Sequence, residues 1–379
     1  MNFIPYGRQF IDRSDSKAVI KALKSEKITT GIEVKKFEKK ISNYLKSNYV
    51  VSCNSGTSAL FLALSAIGTK KDDIVIMPSV TFISSYNVAK LFGAKVFLAD
   101  IDRNLGQMRP EDVVNCCKKF KLKKIKAIIT MYNGGYPHNA DKFFNLKKKY
   151  KTIIIEDACH ALGSSYKFKK NFYRIGSCKH ADISTFSLHP LKSITTGEGG
   201  IVTTNSKNIY DKLILLRSHG IKKNLKKHWE YDVYYNSLNF RLSDIQCALG
   251  VSQLNKIKKF ILKRKKIAQI YNKYLSSMKD INLCKINKNY SSSFHLFIIH
   301  LNKKNIKEKL IKFMLKYRII LQYHYIPIYK FKIFKGKKIS KNSEKYFQTA
   351  VSLPIYYNLS FKNQMFVIKK LREFFKFAK

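Results

Sequence analysis

Three stretches of this chain carry almost no charge, and in so basic a sequence they mark where the interior must lie. Charged residues fill 26% of the 379 positions, with 73 lysines and arginines against 24 acids and a formal net charge of +49. Residues 51–69 and 74–89 nevertheless contain no charged side chain, and residues 181–206 contain only Asp182, Lys192 and Glu198. An isolated charge is costly to take out of water. These three stretches are therefore expected to hold the buried sheet and the site.

Within and around them, short apolar runs alternate with helical spans. Tyr49–Ser52 reads as a strand, followed by the turn Asn54-Ser55-Gly56-Thr57 and a helical run over Ser58–Ile67. Further strands are expected at Ile74–Met77, Val96–Ala99, Ala127–Thr130 and Ile153–Ile155, the last ending in Glu156-Asp157. This alternation predicts an α/β fold with a mostly parallel sheet covered by helices on both faces, whose ligand sits beyond the carboxyl ends of the strands. After about residue 250 the character changes. Val251–Leu275 reads as a long amphipathic connecting helix, Phe294–Ile299 as a strand, and Lys303–Tyr317 and Asn363–Phe377 as helices. The expected division is a large domain with an N-terminal arm over 1–250 and a connecting helix with a small α/β domain over 251–379.

Apolar residues at 45% and aromatics at 13% supply a core and exclude a disordered chain. No run reaches the eighteen or so apolar residues of a membrane helix. The N-terminal residues lack the apolar segment of a secretory signal, so a cytoplasmic protein without a membrane partner is expected. Seven cysteines with no C-x-x-C pairing predict reduced thiols and no metal site. The net charge invites a rival reading as a basic nucleic-acid-binding protein. Against it, the lysines are spread through almost every helical segment instead of forming one stripe. Their field can steer anionic substrates inward.

A pyridoxal cofactor needs a lysine to bond to its aldehyde, an acid for the ring nitrogen, a phosphate cradle and a flat partner for the ring. Each has a candidate in charge-poor surroundings. Lys192 lies in Phe186-Ser187-Leu188-His189-Pro190-Leu191-Lys192, followed by Thr195-Thr196-Gly197-Glu198-Gly199-Gly200, where loss of water would free its amine. Asp157 ends an apolar strand; it either faces the ring nitrogen or caps the next helix. His160 could hydrogen-bond the ring oxygen or be structural. Gly56 and Thr57 open a helix whose N–H groups suit a phosphate, with the Ser187 hydroxyl as a further donor. Phe82 either stacks on the ring or belongs to the core. The phosphate-loop motif of nucleotide hydrolases is missing, as is a convincing dinucleotide fingerprint.

Four segments in this order resemble the DegT/DnrJ/EryC1/StrS aminotransferases: Asn54–Thr57, Glu156–Gly163, Ser187–Gly200 and Asn239–Gly250. The resemblance covers nearly the whole chain and implies an aspartate-aminotransferase-like fold of type I, with pyridoxal 5'-phosphate as cofactor and Lys192 as its covalent partner. It further implies that Asn239 reaches the cofactor phosphate of a neighbouring subunit, hence a homodimer with shared sites. One branch of the family has histidine in place of the lysine and is a dehydratase; Lys192 favours transamination. Ile4–Gln9, Leu216–Gly220 and Tyr323–Pro327 look closest to the branch that makes the 4-amino sugar of the pseudaminic acid pathway. That likeness implies L-glutamate as donor and a UDP-linked 4-keto-6-deoxy-N-acetyl sugar as acceptor, with action at C3 or on a GDP- or dTDP-linked sugar as the alternatives. Tyr6, Arg241 and His324 are candidate substrate contacts. Met131–Pro137 departs from the family pattern, and 167–179 is expected to be irregular.

Overall fold

Seven short strands, most of them dominated by Val, Ile and other apolar residues, build the central sheet: β1 (Tyr49–Cys53), β2 (Ile74–Pro78), β3 (Lys95–Ala99), β4 (Ala127–Met131), β5 (Ile153–Asp157), β6 (Ile183–Ser187) and β7 (Gly200–Thr204). They are ordered β1-β7-β6-β5-β4-β2-β3 across the sheet. The computed structural model describes residues 3–224, 226–227, 229–303, 305–334 and 340–377. Strands β2 to β6 pair in parallel, and β7 runs antiparallel to both its neighbours. Helices cover both faces, which is why these strands read as unbroken apolar runs. The helix Gly56–Ala66 is apolar on all sides and correspondingly buried; the Ser55 side chain accepts the Ser58 N–H at 3.0 Å and fixes its start.

The reversal of β7 places the site. An antiparallel neighbour is reached through a loop, with no crossover helix. The loop after β6, residues 188–199, therefore stays at the carboxyl edge of the parallel strands and carries Lys192 there. The turn after β1 and the end of β5 open at the same edge.

Residues after the sheet form a second apolar cluster around Ile281–Leu283, Phe297–Leu301 and Ala350–Leu353, an antiparallel sheet packed by helices Lys307–Lys316 and Phe361–Phe377. One continuous helix, Asp244–Leu275, serves both cores. Its Val251, Leu254, Ile257 and Phe260 pack near the central sheet, while Ile267, Tyr271 and Leu275 pack in the second cluster. Ile4 of the N-terminal arm bridges to Ile319 and joins that second cluster. No helix among the described residues is long and apolar enough to cross a membrane.

Three local expectations need correction. The long helix begins at Asp244, because Ser243 and Gln246 form a capping box one turn before the apolar periodicity becomes visible. The strand expected from Phe294 starts at Phe297, since Phe294 adopts a positive φ of 49° that breaks extended geometry. The segment 167–179 is not irregular throughout. Ser165–Phe168 and Asn171–Arg174 form a hairpin turning at Lys169, joined by Tyr290–Ser291 as a third strand. A second hairpin, Ile221–Lys223 with Tyr231–Val233, stands out from the body with Tyr231, Val233 and Tyr234 exposed and Trp229 66% exposed.

Candidate active site

A cavity of about 490 Å³ opens at the carboxyl edge of the sheet. Gly56, Thr57, Asp157, Ser187 and Lys192 line it, as do Phe82, His160, Tyr6 and His324. Asn239 and Arg241 do not line it in their own chain. Asn239 is exposed and its side-chain oxygen accepts the Arg241 N–H at 3.1 Å, while the Arg241 guanidinium donates to Ser218 at 3.2 Å.

Strand alternation explains which acid faces the cavity. Glu156 turns to the other face of β5 and accepts from Tyr132 at 2.6 Å and Ser184 at 2.5 Å. Asp157 turns toward the cavity, 2% exposed, and accepts from the Ser85 hydroxyl and the Cys159 N–H, each at 3.2 Å. Burial pushes the Lys192 amine below its usual range, against the opposing pull of Cys159 and Asp157. The amine and the carboxylate thus share one cavity and one electrostatic neighbourhood.

The turn after β1 lies against β6. A Cβ on Gly56 would sit 2.8 Å from Ser187 Cβ, so only glycine permits this approach. The Gly56 and Thr57 N–H groups, at the start of the helix, have no hydrogen-bond partner among the described residues, and both residues line the cavity together with Ser187. This donor set suits a phosphate, and Asp157 suits a protonated ring nitrogen. Gly200 braces the turn from β7, and a Cβ there would collide with the Ser55 carbonyl, whose carbon would lie at 2.5 Å. Gly200→Ala is expected to cost about 1–3 kcal/mol of stability and to loosen cofactor phosphate binding. Urea denaturation and cofactor retention on dialysis would measure both; an unchanged midpoint would refute the brace.

His160 is buried. Its Nδ1 accepts the Gly134 N–H at 3.3 Å, which leaves the proton of the neutral ring on Nε2, 2.9 Å from the Tyr325 hydroxyl. The departing segment Met131–Pro137 therefore reaches the site through Gly134. Its partner Gly135 is held at φ 83°, where a Cβ would lie 2.6 Å from the His160 carbonyl oxygen. His295 packs over His160 with ring centroids 4.0 Å apart, and His324 contacts Ser352 at 2.9 Å through Nδ1. Phe82 is 52% exposed, so it is no core residue; it lies 5.7 Å from the Tyr325 ring.

Tyr325, His295, Ser85 and Cys159 are the site residues not singled out from the sequence. Cys159 and Tyr325 lie inside segments quoted for the resemblance, and Ser85 lies in the charge-free stretch 74–89. His295 carried no signal beyond its strand-like surroundings.

Burial drives His160, His295 and His324 well below the usual histidine range, His324 to about 3. The folded protein keeps all three neutral, whereas the unfolded chain binds protons below its ordinary value of about 6.5. Their contribution is thus intact above pH 6.5 and is lost as pH falls toward 3. At pH 5 the loss for His324, whose folded value lies near 3, is about 2 kcal/mol. The melting temperature should drop between pH 7 and pH 5, less so in His324→Gln; a flat profile would contradict these burial assignments.

Residues 9–372 match the family described as DegT/DnrJ/EryC1/StrS aminotransferases. A UDP-4-amino-4,6-dideoxy-N-acetyl-beta-L-altrosamine transaminase of Campylobacter jejuni subsp. jejuni serotype O:23/36 (strain 81-176) is 38% identical over 377 residues, covering 96% of this chain and 95% of the relative. Helicobacter pylori PseC, an aminotransferase involved in the biosynthesis of pseudoaminic acid, superposes with a TM-score of 0.90 at 28% identity, covering 99% of this chain and 100% of PseC. The PLP form of the putative sugar aminotransferase Spr1654 of Streptococcus pneumoniae gives a TM-score of 0.88 at 26% identity and covers 97% of each chain. None of these likenesses supports the nucleic-acid-binding reading.

Proposed function

The chain belongs to the DegT/DnrJ/EryC1/StrS aminotransferase family, and from that premise we propose that it moves the amino group of L-glutamate onto the C4 keto group of a UDP-linked 4-keto-6-deoxy-N-acetyl sugar. It is a pyridoxal-phosphate-dependent sugar aminotransferase by family. The finer reading rests on its similarity to the altrosamine transaminase and on one observation of this chain: Lys192 and Asp157 line the same cavity beside the Gly56-Thr57 turn.

When bound, pyridoxal phosphate carries the amino group between the two substrates and draws off the electron pair released at the reacting carbon. Gly56, Thr57 and Ser187 would hold its phosphate. Lys192 would be the residue that holds its aldehyde, and the same amine would move a proton at the reacting carbon. Asp157 keeps the ring nitrogen protonated, and Ser85 and the Cys159 N–H orient the carboxylate. His160 lines the same cavity with its Nε2 proton directed at the Tyr325 hydroxyl, and would hold the ring oxygen by exchanging that contact for it. Phe82, which lines the same cavity, would supply the flat partner for the ring. The amino donor leaves as 2-oxoglutarate, and the keto sugar leaves as the amino sugar.

Tyr6 and His324, whose rings lie 5.4 Å apart, stand at the wall formed by the C-terminal half of the chain and contact the sugar substrate. Asn239 and Arg241 act on the site of a second copy in a homodimer. Both lie outside the cavity of their own chain, and Asn239 is exposed, which supports that reading. The decisive experiment supplies glutamate with a panel of 4-keto and 3-keto sugars on UDP, GDP and dTDP, and identifies the product by mass and NMR. Amination at C4 of the UDP sugar is the expected result. Preference for C3, or for a GDP or dTDP sugar, would replace the substrate assignment while leaving the aminotransferase intact.

A further inference from the structure

Arg264, on the long helix Asp244–Leu275, is a buried cation that the proposed chemistry does not use. It is only 4% exposed and pairs with no carboxylate among the described residues. Its Nη1 donates to three carbonyls, those of Ile355 at 2.8 Å, His295 at 3.3 Å and Phe294 at 3.4 Å. Carbonyl dipoles satisfy part of the guanidinium, but no opposite charge balances it, and burial lowers its pKa to about 10.

Beside it lies a second, separate cavity of about 20 Å³, lined by Arg264, Arg8, Gln253, Thr195 and Lys192 among others. No acidic residue lines it. The Oδ2 of the buried Asp15 is engaged by Lys256 and by the amide of the lining residue Gln253 at 2.8 Å. That volume admits one water or one small ion. Two guanidinium groups at so small a space, one of them almost wholly buried and with no acid in the lining, select an anion.

We propose that this cavity is a binding site for a small inorganic monovalent anion, of halide size, held between Arg264 and Arg8. Lys192 lines this cavity as well as the larger one, so the anion sits one side chain from the reacting amine. Its charge favours the protonated form of the nitrogen at position 192. The site is separate from the aminotransferase reading and can fail without it.

The test uses the intact holoenzyme. Crystals soaked in bromide are expected to show an anomalous peak in the cavity beside Arg264. In solution, chloride is expected to raise the melting temperature above that in gluconate at equal ionic strength. Arg8 is exposed, so Arg8→Ala should fold normally and raise the chloride concentration for half effect roughly tenfold. Arg264→Gln, if it folds, should abolish the chloride effect. Water or a substrate carboxylate in place of bromide would overturn the proposal. So would equal stabilisation by gluconate, an unchanged chloride midpoint in Arg8→Ala, or a bromide peak without any halide-specific stabilisation.

Discussion

Lys192→Ala is expected to lower turnover by on the order of 10⁴-fold or more and to remove the yellow absorbance of covalently held cofactor. Lys192 is the sole lysine or arginine among the described residues lining the large cavity, so no neighbour can take over either of its tasks. Bonding to the aldehyde requires a free amine, which burial favours by lowering the Lys192 pKa. Moving the proton requires the same amine to stay beside the reacting carbon. The side chain is half-buried and makes no side-chain hydrogen bond among the described residues, so its loss should leave the fold intact. Circular dichroism and the melting curve check that point. Yellow protein with full activity at alanine would end the assignment.

Asp157→Asn should keep cofactor bound but slow turnover by roughly 10²–10⁴-fold. The amide has the shape of the carboxylate and can still accept from the Ser85 hydroxyl or the Cys159 N–H. It cannot balance a positive charge on the ring nitrogen. The adjacent Glu156 offers no substitute, because it is locked on the opposite face by Tyr132 and Ser184, and burial raises its pKa. A stopped-flow measurement of the glutamate half-reaction isolates the step that depends on this proton. Near-normal rates would mean that a different group holds it.

What was legible in the sequence is what local physics writes there. A strand that ends in Asp157 and a turn that opens a helix at Gly56 each carry their signal within a few residues, and the charge-free stretches located the sheet that presents both. Lys192 was legible for the same reason, since a lone charge in a neutral, glycine-rich frame needs a purpose. The convergence of His295 and Tyr325 on His160 was not legible, because it depends on how the chain after residue 275 folds back over the sheet edge. The role of Asp244 was hidden likewise: its carboxylate accepts the N–H groups of Gly31 at 2.7 Å and Glu33 at 2.9 Å, capping a helix more than two hundred residues away in the chain. The hairpin at 165–174 was missed because its lysines mask an alternation in which Tyr166 alone is fully buried.

The projecting hairpin near residue 230 also fixes what light the molecule emits. Its indole is the single one in the chain, so ultraviolet excitation at the red edge reports on that spot and no other. That residue is 66% exposed, so a blue shift of its glow on concentrating the sample would register the covering of that ribbon by another molecule, with no label attached.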